Sequence, residues 1–448
     1  MQEEVGEDLL SLRLSIGGVY HFDQPTKKRK RIDDPNDKNL MLLLQTRDRM
    51  TQLSCNRHGM ADEKGLQLVR LLLLCATAVD RNDRSSAADL LRQLYRNVSL
   101  SGSPIQRVTA YFTDGLMASF MSKNSSFYSS IMADPSPAEE FSAFTSFCLA
   151  SPYYQFAHFT ANQAIFEAFE EDEKWNSGCL HVIDFDVSYG LQWPSLIQSL
   201  SDKATNEKPI NLLITGFGKS MEELKDTEKR LSSFASGFRN LFFKFEGRLR
   251  GGKGQGEIQV QKNSTVAVNL VFYLHSLKSY SDICTTLTQI NELNPSVVTL
   301  VEKEGSRGNP NSFLSRFMES LQYFAAMFDS LDDCLPARNK ERLRIEKNHL
   351  GTEIRHAVKD EEEKGCRYER LETWKAVMER YRFEGVRMSS RSVSQAKLLL
   401  KITSHSSAMD DHGTGTGFRI FERDEGNALS LGWQDTHLIT ATAWRRSS

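Results

Sequence analysis

Gly178-Cys179-Leu180-His181-Val182-Ile183-Asp184-Phe185-Asp186 is the point at which this sequence changes character. Upstream of it apolar residues recur every three or four positions; downstream, short β-rich runs alternate with helical patterns. After Leu180–Phe185 come 210–214, 241–245, 266–273 and 297–301, each rich in Val, Ile, Leu or Phe. Helical patterns at about 193–201, 219–236, 281–293 and 311–330 connect or follow these runs, long enough for crossovers between parallel strands. The alternation predicts a Rossmann-like, doubly wound parallel sheet. Two charged helical patterns follow, at about 340–363 and 369–382. The C-terminal runs Phe418–Phe421, Ala428–Trp433 and His437–Trp444 alternate like antiparallel strands, expected as an edge added to the sheet and covered by Trp433 and Trp444.

Upstream, Leu68, Leu71, Leu72, Cys75, Ala76 and Val79 form an amphipathic helical stripe. Further helical patterns cover 87–98, 105–121, 139–149 and 157–173, so 61–175 reads as a helical cap on a 176–448 core. Residues 1–60 lack periodicity and read as a disordered arm. Two features stand out within it. Leu10, Leu12 and Leu14 alternate with polar residues, three apolar side chains that call for a partner groove. Lys27-Lys28-Arg29-Lys30-Arg31 is a run of cations suited to the acidic groove of a nuclear import receptor.

Composition excludes several function classes. The net charge is −2 with 25% charged residues, so no global field draws the chain to nucleic acid or membrane. The 7 cysteines lie far apart, without zinc spacing, and read as reduced thiols. No apolar stretch is long enough to span a bilayer and the start is acidic, so a soluble intracellular protein is expected. The sequence contains neither a Gly-x-Ser-x-Gly elbow nor a His-Glu-x-x-His pair. Gly251–Gly256 lacks the Lys-Ser/Thr ending of a phosphate loop, and it and Gly413–Gly417 read as flexible links. The turn after Asp184 stands where such folds bind a nucleotide, but it retains only Gly190, with Tyr189 and Trp193 beside it. A structural turn without cofactor is expected.

These stretches resemble the plant GRAS family of transcriptional regulators, over about 55–448. Leu180-His181-Val182-Ile183-Asp184 is similar to the family's VHIID motif, with conservative changes at the first and third positions. Residues 66–150 and 274–300 are similar to its two leucine-rich regions. Phe313, Arg316, Phe317, Glu319 and Tyr323 resemble its PFYRE region, and Trp433, Thr442, Ala443 and Trp444 its SAW region. The resemblance implies a methyltransferase-like core under a helical cap, a nuclear location and a non-enzymatic role in gene expression. It implies homo- or heterodimers, including with other GRAS proteins, and complexes with other transcription factors. The arm lacks the DELLA element, which places the chain in a Scarecrow-like or symbiosis-related branch. Similar leucine arms recruit corepressors. Promoter DNA is a further expected partner, through Lys229, Arg230, Arg239, Lys244, Arg248, Arg250 and Lys253. The competing expectation is an S-adenosylmethionine-dependent methyltransferase, or a small-ligand receptor, using the pocket by Asp184, Asp186 and Gly190.

Overall fold

Helices here start where Ser-Pro pairs occur. Ser103-Pro104, Ser136-Pro137 and Ser151-Pro152 place a serine at the N-cap and a proline in the first turn, where its missing N–H costs nothing. The structure is a computed structural model that describes residues 63–447 apart from 252–257, 306–311, 337–338, 360–367 and 404–416. The leucine and basic features of the arm, most of both glycine links, Lys253 and the end of the charged pattern at 360–363 lie outside the described residues.

Among the described residues six helices come first: α1 (Glu63–Asp80), α2 (Arg84–Asn97), α3 (Pro104–Phe120), α4 (Ser126–Ile131), α5 (Pro137–Ala150) and α6 (Pro152–Glu171). The α/β part then runs β1 (Cys179–Asp184), α7 (Trp193–Lys203), β2 (Ile210–Gly218), α8 (Met221–Ala235), β3 (Leu241–Leu249), β4 (Thr265–Val271), α9 (Tyr280–Glu292), β5 (Val297–Lys303) and α10 (Phe313–Cys334). It continues through α11 (Lys340–Ile345), a π-helical turn at Glu346–Leu350, α12 (Gly351–Lys359), α13 (Leu371–Arg380), β6 (Phe383–Val386), α14 (Ser390–Thr403), β7 (Phe418–Arg423), β8 (Ala428–Trp433) and β9 (Thr436–Arg446).

The strands form one sheet in the order β3-β2-β1-β4-β5-β9-β8-β7, with β6 pairing beside β8 on β9. From β3 to β5 the pairs are parallel, and β9, β8 and β7 add antiparallel. The doubly wound core is thus as its sequence implies. Alternation of apolar side chains buries one face against α6, α7 and α8 and the other against α9 and α13.

Three features differ from the sequence reading. Trp444 is not at the sheet edge: its strand lies between β5 and β8/β6, and the outermost strand on this side is β7. Helices α10 and α12 pack against α3 and α11 packs against α5, so the helical layer drawn over 61–175 also draws on 313–359. The short elements α4 and β6, and the helix α14, stood out in no periodic pattern; α14 buries only Ser392, Ala396 and Leu399, too few for a clear stripe. One crossover is also unusual. Among its described residues the β3–β4 connection carries no helix, and Ile258 and Val260 pack on the sheet instead.

Candidate functional site

In an open α/β sheet, ligands bind beyond the carboxyl ends of the strands where the strand order reverses. Here that point lies between β1 and β4, where Asp184 ends β1. The Asp184 carboxylate is buried and fully engaged. Trp193 donates its indole N–H to Oδ2 at 3.1 Å, Asn269 donates to Oδ1 at 3.1 Å, and the backbone N–H of Asp186 donates to Oδ1 at 3.2 Å. Burial raises the carboxyl to about 7, opposed by these hydrogen bonds. Asn269 also exchanges hydrogen bonds with Gln192, which donates to Asn162 of α6, and Thr299 of β5 donates to Asn269. A continuous amide chain therefore ties the helical layer to three central strands.

The turn after Asp184 is shaped by its own packing. Gly190 has φ +68°, and a Cβ there would lie 2.6 Å from Thr227 Cγ2, so only glycine fits against α8. Tyr189 points into the cap, its ring 4.8 Å from Phe141 and 5.3 Å from Phe144 between centroids. Arg230 clasps the turn by donating to the Tyr189 carbonyl at 3.0 Å. Asp186 is ion-paired with Arg250, whose guanidinium lies 5.5 Å from the centroid of the Tyr273 ring.

Above this turn the crevice narrows to a cavity of about 220 Å³, lined by Tyr154, His158, Asp186, Gln192, Phe272, His275, Lys303, His349 and Glu353, among others. Sites for cofactor-sized ligands usually measure roughly 300–1,000 Å³. Its polar groups satisfy one another: Lys303 pairs with Glu353, His275 with Glu302 at 2.8 Å, and His349 Nε2 with the Tyr154 hydroxyl at 2.9 Å. S-adenosylmethionine does not fit these residues. The turn offers a single glycine, Tyr189 fills the space above it, and Asp186, which lines the crevice, is paired with Arg250. A second cavity of about 770 Å³ lies on the opposite face, between Phe185, Phe217, Tyr273 and α9. Its floor is the stacked pair Phe185–Phe217, with centroids 5.4 Å apart.

Burial lowers His158 and His349 to about 4; burial pushes Glu353 up, but Lys303 and His349 outweigh it and hold the carboxyl at about 2. A histidine held neutral costs stability in acid: from pH 6.5 down toward 4 the unfolded chain takes up a proton that the folded chain refuses. We expect His349→Gln, which keeps a partner for Tyr154, to lose about 2 kcal/mol less stability than the parent between pH 6.5 and 5. Urea denaturation at both pH values measures it; equal losses in the two proteins would contradict the assignment.

The other motif residues are structural as well. Leu180 and Val182 enter the core on one sheet face and Ile183 on the other; His181 is buried, bonded to Thr215 Oγ1 at 2.9 Å, and lowered to about 4 by burial. On α10, Phe317 packs edge-on against Phe112, Tyr323 shares a 2.8 Å hydrogen bond with Tyr153, and Phe313 lies against Phe317. Arg316 and Glu319 are half-buried, Glu319 lying 3.9 Å from Arg370. Trp433 is buried and donates to Asp329 at 2.6 Å; Trp444 donates to Thr442, which donates to the Leu300 carbonyl; Ala443 pairs with Thr299 and Val386.

Of the described cations assigned to DNA, Arg230 and Arg250 converge on the turn after Asp184, where Arg230 donates to the Tyr189 carbonyl and Arg250 pairs with Asp186. Lys229 lies on α8 and Arg239 before β3, whereas Arg248 lies near the far end of that strand, roughly 30 Å from Arg239. Lys244 pairs with Glu246, and Arg250 with Asp186. Lys229 and Arg239 face solvent. The leucine stripe of the cap is largely internal, with Leu68, Leu72, Leu91 and Leu94 buried; Leu66, Tyr95 and Leu100 remain exposed. What sequence reasoning missed is the Asn162–Gln192–Asn269 chain, because isolated amides carry no periodic signal.

Comparison with known proteins agrees with this architecture. The model of the GRAS domain family matches residues 68–445. Protein SCARECROW of Ipomoea nil is 36% identical over 391 residues, covering 86% of this chain and 47% of that protein. Scarecrow-like protein 23 of Arabidopsis thaliana is 34% identical over 389 residues, covering 85% of this chain and 90% of that one. The chain spans about half the length of the SCARECROW proteins it matches. Among solved structures, the crystal structure of SCL7 in Oryza sativa superposes with a TM-score of 0.68 at 29% identity, covering 84% of this chain and 99% of that chain. By sequence over most of its length and by fold, the chain belongs to the GRAS domain family, in its Scarecrow-like branch.

Proposed function

We propose that this plant GRAS-family regulator acts in the nucleus as a non-enzymatic scaffold for DNA-binding transcription factors. The observation that carries the reading is the turn after β1. Tyr189, Gly190, Asp186 and Trp193 are all spent on internal packing and pairing, which leaves no built site for the cofactor that such a fold would use. The cap's exposed Leu66, Tyr95 and Leu100 supply apolar contact for homo- or heterodimers with other GRAS proteins. Lys27–Arg31 serves a nuclear import receptor, and Leu10, Leu12 and Leu14 recruit a corepressor. Phosphate contact by solvent-facing Lys229 and Arg239 would add promoter binding that weakens steeply with salt.

Tethering the full chain to a reporter promoter through a foreign DNA-binding domain tests this. Repression is expected, and its loss in Leu10→Ala/Leu12→Ala/Leu14→Ala assigns it to the leucine arm. No effect on the reporter in either direction would overturn the regulatory reading. The cavity against Phe185 and Phe217 favours a second reading, a receptor for a small ligand, which requires a ligand-dependent rise in melting temperature.

A further inference from the structure

Parallel sheets normally carry crossover helices on both faces. Between β3 and β4 the described residues form no helix, and Ile258 and Val260 pack on the sheet where one would lie. The cavity of about 770 Å³ lies between Ile258 and α9, within the size range of ligand sites. Its floor is aromatic and comes from three strand ends: Phe185 after β1, Phe217 at the end of β2 and Tyr273 after β4. The Phe185 and Phe217 rings lie 22° from parallel, and Tyr273 is 5.3 Å from Phe185 between centroids. A floor of this kind suits a flat aromatic guest, by stacking or by edge-on contact.

The polar groups of the lining decide the charge of that guest. On the α9 wall Asp282, Thr285, Gln289 and Glu292 share one helix face and are exposed. Two carboxylates there disfavour an anion. Arg250 is the one cation of the lining among the described residues. Its charge is already met by Asp186, and it stands 5.5 Å from the centroid of the Tyr273 ring, which disfavours a second cation at that place. Its Nε–H, however, is buried without an acceptor. A buried donor left unpaired costs free energy that a neutral oxygen on a guest would recover.

We propose that this cavity binds a flat, uncharged aromatic molecule whose rings lie on Phe185 and Phe217 and whose carbonyl oxygen accepts from Arg250 Nε. The assignment rests on the small-ligand reading above and commits it to one site and one chemical class.

Thermal melts and calorimetric titration of the full chain test it, with flavone, a neutral planar ketone, as the probe and the same ring system bearing a carboxylate as its charged counterpart. Flavone is expected to raise the melting temperature and to bind saturably at micromolar concentrations, and the acid to bind about tenfold more weakly. Thr285→Trp, at an exposed position of the α9 wall, fills the cavity without touching the core and should abolish flavone binding. Arg250→Lys keeps a cation for Asp186 but has no N–H at the Nε position, and should weaken flavone binding about tenfold. Flavone binding unchanged in either variant, or an acid bound as tightly as flavone, overturns the assignment and leaves a receptor of another kind. No rise in melting temperature with either compound overturns the assignment too, and none with a broad panel of metabolites would overturn the receptor reading along with it.

Discussion

A chain ending at Ser430 will not be recovered as a folded monomer. The truncation removes all of β9, whose residues 439–444 pair with β5 on one side while its other side carries β8 and β6. It also removes Trp433, which anchors β8 to α10 through Asp329, and Trp444, buried against Trp374 and Phe383. What remains exposes the full edge of β5, a strand buried along its whole length, and leaves β7 and the rest of β8 without a sheet to join. An exposed apolar edge of this kind is a template for aggregation. Size-exclusion chromatography and circular dichroism are expected to show aggregates without a cooperative melt. A truncated protein that elutes as a monomer and melts cooperatively would show that the terminal strands are dispensable.

Arg107→Met is the second large effect. Arg107, buried on α3, contacts Glu346 at 2.9 Å and Asp332 at 3.0 Å and donates to the Gly102 carbonyl at 2.7 Å. Arg342 reaches the same two carboxylates at 3.5 and 3.1 Å. The Glu346 side chain is 0% exposed and sits in the π-helical turn, so this cluster fastens the 340–359 segment to the cap. Breaking a buried pair from one side leaves an uncompensated charge, and the expected loss is about 3–5 kcal/mol. Burial already holds Glu346 up at about 7 against the pull of both guanidinium groups. Without Arg107 its proton is held still more tightly, so the loss should be smaller at pH 5, where Glu346 is neutral, than at pH 8. Arg107→Met/Glu346→Leu, which removes both charges, should recover most of the stability. Urea denaturation of the three proteins at both pH values measures this; a double variant as weak as the single one would mean that packing volume, not charge, sets the cost.

The sheet core was legible in the sequence because its signal is periodic. Leu180–Phe185 and the four following β-rich runs became β1 to β5, and 428–433 and 437–444 became β8 and β9. Strand β3 extends four residues past the apolar run 241–245, because Glu246–Leu249 continue to pair with Thr215–Gly218 through backbone bonds that side-chain pattern does not encode. The placing of Trp444 was not legible, since strand order is decided by which edges are free after the parallel unit forms. The role of Asp184 was half legible: its position at a strand end marks the crevice, but its partners Trp193 and Asn269 are 9 and 85 residues away. Gly190 reads the same in a cofactor turn and in a packed one; only the 2.6 Å approach of Thr227 separates them. The scattered cations could not be mapped to a surface from sequence, because their spacing along the chain says nothing of which end of β3 each one occupies.

The crevice beyond β1 is filled by the protein's own side chains, and the proposed scaffold role rests on that packing. Calorimetric titration of the full chain with S-adenosylmethionine tests it most directly. No saturable heat is expected at micromolar concentrations. Saturable micromolar binding that disappears in Gly190→Trp would contradict it and return the turn after Asp184 to the role of a cofactor site.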